Sequence, residues 1–207
     1  MTDTHNEEQK SVDLEAKRVG KYTITDVDMD ADDWVEQASK AVNAVKGDTY
    51  VELDRGILTV NQINALLKSL PVEITFADEN NQFLYYNHNA DAQDMFAKRQ
   101  PEQVGSPLAS GHPDQVKAHV EQMIDILRTG KQDVIHLPVR RHGADKFVVN
   151  SYQAMHDEEG NYMGVNEYVA DLKPIVDWYL EQTHQKLVED EVKPDAVSGA
   201  SQHHENE

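Results

Sequence analysis

Three strand-like runs in series constrain the fold of this chain more than any other feature of its sequence. They are QDVIHLPVRR, DKFVVNSYQAMHD and YMGVNEYVADL, all rich in β-branched and aromatic residues. HGAD links the first two and EEGN the last two, and links this short require neighbouring strands to run antiparallel. Pro138 cannot donate a hydrogen bond to a neighbouring strand, so it makes the first run an edge strand or introduces a bulge there.

Two further strand-like runs, VEITFAD and QFLYYNH, precede these three and are separated by the turn-forming residues DENN. An amphipathic helix is predicted between the two groups, from about Pro113 to Arg128, with Gly130 ending it. This order predicts an α+β fold with one five-stranded antiparallel sheet, covered on one face by the helices between its second and third strands. The space between sheet and covering helix is the expected ligand site.

The flanks divide the rest of the chain. Residues 1–20 are polar and predict a disordered leader, and two helical patterns, DDWVEQASKAVNAVKG and TVNQINALLKSLP, make 21–70 an N-terminal helical segment. Thr59 is a good N-cap for the second of these helices, and Pro71 ends it. The sheet domain covers residues 71–173, an amphipathic C-terminal helix 174–192, and a disordered polar tail 193–207.

Several motifs in these segments resemble those of PAS domains. They are LPVEITFADENNQFLYYNHNA, a Gly-x-Pro segment before a helix, and the closing DEEGNYMGVNEYVADLKPI. In PAS domains D-x-x-G-x-x-x-G marks the last hairpin, and D-(I/L)-(T/K) ends the last strand. The likeness covers roughly residues 56–175 and is greatest to PAS domains attached to hemerythrin-like, His-His-Glu cation-binding domains, where an L-P-V-x-I-T-F strand also follows a short leader helix. The resemblance implies a PAS-like sensor fold with flanking N- and C-terminal helices and no catalytic activity.

The chain departs from these relatives in two places. It lacks the hemerythrin set of His and Glu ligands, so it resembles the sensory half without the di-iron half. Gly111 stands where relatives often carry Cys before His-Pro, which weakens a metal-binding role at that point.

Two histidines at the start of the covering helix raise the question of heme. At 100° per residue, His119 falls within the apolar arc of the helix, about 60° from Val116. Heme-binding PAS oxygen sensors resemble this arrangement, because their proximal histidine also comes from this helix. In that reading His112 or His119 is the axial ligand, opposite Met95, Tyr152 or another pocket side chain.

The alternative reading needs no cofactor. His112 precedes Pro113, which suits a first helical position, so its ring would bond to local backbone. His119 would donate a proton to a carbonyl of the sheet. PAS domains without heme outnumber those with it, so heme remains the alternative and no resident metal is expected.

Strand alternation and the helix face together predict a set of residues that line the ligand pocket. The assignment assumes one choice of sheet face, and a shift of one residue would exchange the faces. The predicted pocket residues are Ile74, Phe76, Phe83, Tyr85, Met95, Phe96, His119, Met123, Leu127, Phe147, Val149 and Tyr152.

Composition limits the partners of the chain. Its formal net charge of −19 would repel nucleic acid and anionic lipid surfaces, so neither is expected as a direct partner. There is no cysteine, which excludes disulfides and thiolate-held metals, and no hydrolase, phosphate-loop or dinucleotide motif is present. MTDTHNEEQK has no apolar core, and the predicted location is the cytoplasm.

The predicted function is therefore a non-catalytic sensory domain that binds a small molecule or a signalling protein and relays the event through its flanking helices. The alternatives are a heme-binding gas or redox sensor and a protein-interaction module with a filled core. Apolar residues of the flanking helices could form a homodimer contact or could cover the outer face of the sheet. They are Ile63, Leu66, Leu67, Ile175, Trp178 and Tyr179.

Overall fold

The computed structural model describes residues 12–18, 20–143 and 145–188. The helices in this part are α1 (Trp34–Ala41), α2 (Val60–Ser69), α3 (Asp114–Arg128) and α4 (Lys173–Thr183), with short 3-10 helices at Pro101–Gln103, Leu108–Gly111 and Arg140–His142. The strands are β1 (Tyr50–Leu53), β2 (Gly56–Thr59), β3 (Glu73–Asp78), β4 (Phe83–Tyr86), β5 (Val134–Pro138), β6 (Val148–His156) and β7 (Tyr162–Asp171).

Five of these strands form one antiparallel sheet in the order β4-β3-β7-β6-β5. The predicted sheet is confirmed, and β5, which ends at Pro138, is an edge strand as expected. The last strand of the chain, β7, lies at the centre, between β3 and β6.

Helix α3 covers one face of this sheet, as the sequence predicts. Its buried residues Val120, Met123, Ile124 and Leu127 pack in one cluster with Ala77, Ala154 and Val165 of the three central strands. Full burial of each large apolar side chain contributes roughly 1.5–3 kcal/mol, so this face of the helix is the main source of its stability.

The start of α2 is also as expected. The Thr59 hydroxyl accepts the N–H of Gln62 at 3.1 Å, and the Gln62 side chain accepts the N–H of Thr59 at 2.9 Å. This reciprocal capping box satisfies two N–H groups that a helix start otherwise leaves without partners.

The N-terminal helical segment differs from the prediction in two respects. Residues 50–59 form the hairpin β1–β2 rather than a loop between helices. Helix α1 ends at Ala41, and Asn43 follows in a left-handed conformation with φ of 53°. Val42 and Val45, which lie within the longer helical pattern DDWVEQASKAVNAVKG, are therefore outside the helix and exposed.

The C-terminal helix is shorter than predicted. It ends at Thr183, and His184 takes a left-handed conformation with φ of 54°, which ends the helix. Residues 189–192 of the expected helix, and the expected disordered tail 193–207, lie outside the described residues.

The expectation of a disordered leader is wrong for residues 12–18. Val12, Leu14 and Ala16 are buried, and the first two belong to the same cluster as α3. The remaining leader residues up to 11 lie outside the described part. Three apolar residues spaced two apart form too short a pattern to separate from a polar tail by periodicity alone.

Helix α1 packs on the edge strand β4. Trp34 is buried with Val27, Ala38, Phe83 and Val104. Its indole ring lies against Gly105, where an added Cβ would overlap the ring and where φ is +100°. Only glycine takes this conformation easily, so the close approach of ring and backbone depends on it.

We therefore expect Gly105→Ala to destabilise the fold by about 2–4 kcal/mol, from backbone strain and displacement of the Trp34 ring. The measurement is the free energy of unfolding in urea. Gly111→Ala is the matched control, because a Cβ there meets nothing within 4 Å. Equal urea midpoints for the two variants would contradict this account.

Candidate functional site

The face of the sheet under α3 carries polar side chains at its centre. Strand register places Thr75, Glu167, Tyr152 and Ile135 in one row across four strands. Tyr152 and Ile135 pack against the α3 cluster, which identifies this face as the covered one. Because side chains two apart share a face, Glu73 and Asn150 also lie on it.

Arg99 joins these side chains into one network. Its guanidinium donates to the Thr75 hydroxyl at 3.2 Å and pairs with the Glu167 carboxylate at 2.5 Å. Asn150 donates from Nδ2 to the other Glu167 oxygen at 2.7 Å and to the Tyr152 hydroxyl at 2.8 Å. The side chains of Arg99 and Glu167 are only 22% and 12% exposed, so solvent weakens this ion pair less than a surface pair.

Arg99 reaches the sheet because the loop that carries it is bound to β3. The Glu73 carboxylate, 6% exposed, accepts the backbone N–H of Phe96 at 2.6 Å and that of Ala97 at 2.8 Å. A buried carboxylate is costly without such partners. Glu73 thus holds the loop of residues 90–100 over the covered face.

The network has an unused acceptor. Within the described residues, Asn150 Oδ1 is buried and has no hydrogen-bond partner. Apolar side chains lie beside the network, including Phe83, whose ring is 5.9 Å from the Arg99 guanidinium carbon. A few convergent polar groups among apolar ones are typical of sites for small molecules.

Burial affects the ionisation of two tyrosines on this face, Tyr152 and Tyr162. It raises the pKa of the Tyr152 hydroxyl far above its usual range, and the neighbouring Glu167 carboxylate adds to the increase. Burial likewise raises the pKa of Tyr162 to about 12, although the Arg128 guanidinium opposes it. Both hydroxyls therefore stay protonated near neutral pH and can act as hydrogen-bond donors.

The structure separates the predicted pocket residues into two groups. Five lie on the helical side of the sheet or at its rim. Of these, Phe83, Met123 and Leu127 are buried in the α1 and α3 clusters, Met95 is buried within the loop of residues 90–100, and Tyr152 is partly buried against the α3 cluster. The strand residues Ile74, Phe76, Tyr85 and Val149 have the opposite parity and lie on the other face. For these four the predicted orientation is wrong, since the apolar side chains of β3 alternate away from α3.

Phe96 and Phe147 also do not meet at the polar network. The Phe96 ring lies edge-on to His142 at 5.0 Å. Phe147 shares the parity of Val149 and is 38% exposed. Both aromatic rings lie beside lysines, with Lys146 5.3 Å from the Phe96 ring and Lys173 5.6 Å from the Phe147 ring.

The histidines differ from each other in position. His119 is exposed, so its predicted place on the inward face of the helix is wrong. It lies at the edge of the apolar arc, on the side that α3 turns to solvent. The His112 ring bonds through Nδ1 to the carbonyl oxygen of Leu108 at 2.8 Å, the local backbone contact expected of a residue at a helix start.

Of the polar members of the site, Tyr152 alone belongs to the predicted set. The predicted set lacks Glu73, Thr75, Asn150 and Glu167 of the strands and Arg99 of the loop. The signal that could have found them is the alternation itself: β3 carries polar residues at 73 and 75 and apolar residues at 74 and 76, so one of the two sets must lie under the helices.

Within residues 12–18, 20–143 and 145–188, no three His, Asp or Glu side chains are grouped so that they could hold a metal ion. No helix in that part is both long enough and apolar enough to cross a membrane.

Comparison with known proteins agrees with the fold. A family model described as PAS domain matches residues 63–173. A crystal structure of a C-terminal domain from Streptococcus mutans is 37% identical, covering 64% of this chain and 99% of that one, with a TM-score of 0.59. No curated protein matches the chain.

Two structures with lower identity have TM-scores below 0.5. The PAS domain of BvgS from Bordetella pertussis is 18% identical over 60% of this chain and 92% of that one, with a TM-score of 0.39. The Aer2 receptor from Vibrio cholerae, described as a dual PAS-heme oxygen sensor, is 17% identical over 49% and 94%, with a TM-score of 0.33.

The raised tyrosine pKa values predict a loss of stability in alkali. Above about pH 10 the unfolded chain releases the tyrosine protons while the folded chain still holds them, so the free energy of unfolding falls as pH rises. For Tyr162 we expect a loss of about 1 kcal/mol by pH 11, which Tyr162→Phe should abolish.

The measurement is urea unfolding at pH 8, 10 and 11. Tyr50→Phe is the control, because Tyr50 is 72% exposed. If Tyr162→Phe and Tyr50→Phe show the same slope with pH, burial does not hold the Tyr162 proton.

Proposed function

This chain belongs to the PAS domain family, and from that premise we propose that it is a non-catalytic sensory domain that binds a small polar molecule on the covered face of its sheet. PAS domains are sensory and signalling domains, and some of them bind ligands. The observation that carries the proposal is the network of Arg99, Glu167, Asn150 and Tyr152 beneath the loop of residues 90–100.

The network favours a ligand-binding role over a purely structural one, because burying its charged groups costs free energy of hydration. Placing a carboxylate and a guanidinium beneath a loop gives up their hydration, and apolar residues of similar volume would often stabilise the fold as well or better. The unused Asn150 acceptor adds hydrogen-bonding capacity. A molecule with both donors and acceptors suits this set.

The route of output in this proposal runs through β7. Glu167 lies four residues before Asp171, whose carboxylate accepts the N–H groups of Phe147 at 3.0 Å and of Lys173 at 3.1 Å. These bonds fix the start of α4 against β6. A ligand that moves Glu167 would therefore change the equilibrium between positions of α4.

Other parts of the proposal rest on the sequence. We propose a cytoplasmic location, no direct contact with nucleic acid or membrane, and kinship with the PAS domains that are attached to hemerythrin-like domains. The apolar side chains of α2 and α4 form a homodimer contact in this proposal, since Leu66, Ile175, Trp178 and Tyr179 are all more than half exposed.

Native mass spectrometry tests the small-molecule proposal. The full chain is measured after incubation with a metabolite extract and compared with the untreated chain. We expect a bound mass that Arg99→Met weakens by about 10- to 100-fold, since hydrogen bonds to charged groups contribute about 1.5–3 kcal/mol.

Arg55→Met is the matched control, because Arg55 lies in the exposed β1–β2 turn. A bound mass that survives Arg99→Met unchanged would place the ligand elsewhere. No bound mass in any extract would favour the protein-interaction alternative.

The dimer contact predicts a concentration-dependent mass. Trp178→Ser should raise the dissociation constant of the dimer at least tenfold, measured by sedimentation equilibrium, because aromatic residues dominate such contacts. Val188→Ser is the control, because Val188 is also an exposed apolar residue but lies beyond α4. This variant should leave the dissociation constant of the dimer unchanged. A chain that is monomeric at all concentrations would contradict the dimer.

A further inference from the structure

The turn between β3 and β4 is unusual because its polar residues are buried. Its residues Asp78, Asn80, Asn81 and Gln82 are all buried, with Asp78, Asn81 and Gln82 fully so. The Asp78 carboxylate accepts the N–H groups of Asn80 at 2.9 Å and Gln82 at 2.8 Å, which shapes the turn. The carboxamides of the other three residues are thereby left to bind other parts of the chain.

Two of these carboxamides, those of Asn80 and Asn81, bind backbone of the N-terminal leader, and that of Gln82 binds Ile24 just beyond it. Asn81 donates to the carbonyl oxygen of Asp13 at 2.6 Å, and Asn80 donates to that of Ala16 at 3.1 Å and to that of Arg18. Gln82 accepts the N–H of Ile24 at 2.8 Å and donates to its carbonyl oxygen at 3.0 Å. Residues 12–18, here called the strap, are thus recognised through main-chain atoms.

The side chains of the strap alternate. Val12, Leu14 and Ala16 are buried, whereas Glu15, Lys17 and Arg18 are exposed. The carbonyl oxygen of Leu14 accepts the N–H of Ala109 at 3.0 Å, from the 3-10 helix before α3. Main-chain hydrogen bonds with pockets for alternate side chains are the way proteins bind extended peptides.

We propose that the strap is a detachable internal peptide ligand, seated in a groove between the β3–β4 turn, the 3-10 helix at Leu108–Gly111 and α3. When it leaves, it uncovers the apolar end of the covered face. Val12 and Leu14 belong to the same cluster as Tyr152, so strap docking and the polar site share one packed region. The link between strap docking and the polar site rests on the proposed function, whereas detachment of the strap does not.

Two features allow the strap to dock and detach without unfolding of the sheet. The strap meets the rest of the domain through few hydrogen bonds, all at carbonyl oxygens and none of them part of the sheet. Ala16 is held with φ of 51°, a left-handed conformation that costs a residue with a Cβ about 1–2 kcal/mol. The sheet retains all its own hydrogen bonds when the strap is released.

Native-state hydrogen exchange of the unmodified full chain tests detachment directly. The Ala109 amide is bonded to the strap, whereas its neighbour Leu108 is bonded to the carbonyl oxygen of Asn81 at 2.9 Å, within the body of the domain. We expect Ala109 to exchange at least about tenfold faster than Leu108, with little dependence on low urea concentrations, as for a local opening. Exchange of both amides only through global unfolding would overturn the proposal.

A variant pair tests the groove. Val12→Ser with Leu14→Ser removes the buried contacts of the strap, and Glu15→Ser with Lys17→Ser changes only exposed positions of the same segment. The first variant should keep the circular dichroism of the sheet and increase Ala109 exchange at least about tenfold relative to the second. Equal exchange in the two variants would overturn the proposal.

A blocked synthetic peptide of residues 10–20, added to the Val12→Ser and Leu14→Ser variant, should restore slow Ala109 exchange. Failure of the peptide to protect Ala109 at millimolar concentration would count against a groove for extended peptides. If the variant is unfolded, the exchange of the unmodified chain decides. No bound metabolite is used, so failure here and failure of the small-molecule proposal are seen separately.

Discussion

The ion pair between Arg99 and Glu167 is the contact on which the covered face depends. The central strand β7 carries a carboxylate under a loop, where it is tolerable only with a cation and further hydrogen bonds in place. Glu73 supplies the other half of the arrangement by binding the loop that carries Arg99. The polar side chains at the sheet centre and the ordered loop above them therefore depend on each other.

The elements of the sheet and its covering helix could be predicted from sequence because their signals are local. Pro138 indicated an edge strand, Thr59 a helix start, and the short links HGAD and EEGN an antiparallel order. Each of these follows from the backbone chemistry of one or a few residues. The hairpin β1–β2 was missed, since its strands of four residues are mostly exposed and show little alternation.

The orientation of the strands could not be predicted in the same way. Ile74 and Phe76 are half-buried on the far face, while Glu73 and Thr75 are buried beneath the loop. Alternation states that two faces differ, but burial on both of them hides which one meets the helix. His119 was misplaced for a related reason: an arc drawn on a helical wheel has no sharp border, and a residue at its edge can face solvent.

Gly164 has a consequence for the centre of the sheet. Its φ is +141°, and a Cβ at this position would overlap the carbonyl oxygen of Ala77, so β7 and β3 approach each other there as no other residue type would allow. Three residues farther along, the same strand carries Glu167, and α4 begins two residues after the strand ends. With about 3.4 Å per residue, the stretch from Gly164 to Asp171 spans roughly 24 Å and joins this close approach to the start of α4. Any side chain at position 164 would therefore have to displace β7 from β3, and with it the strand that leads into α4.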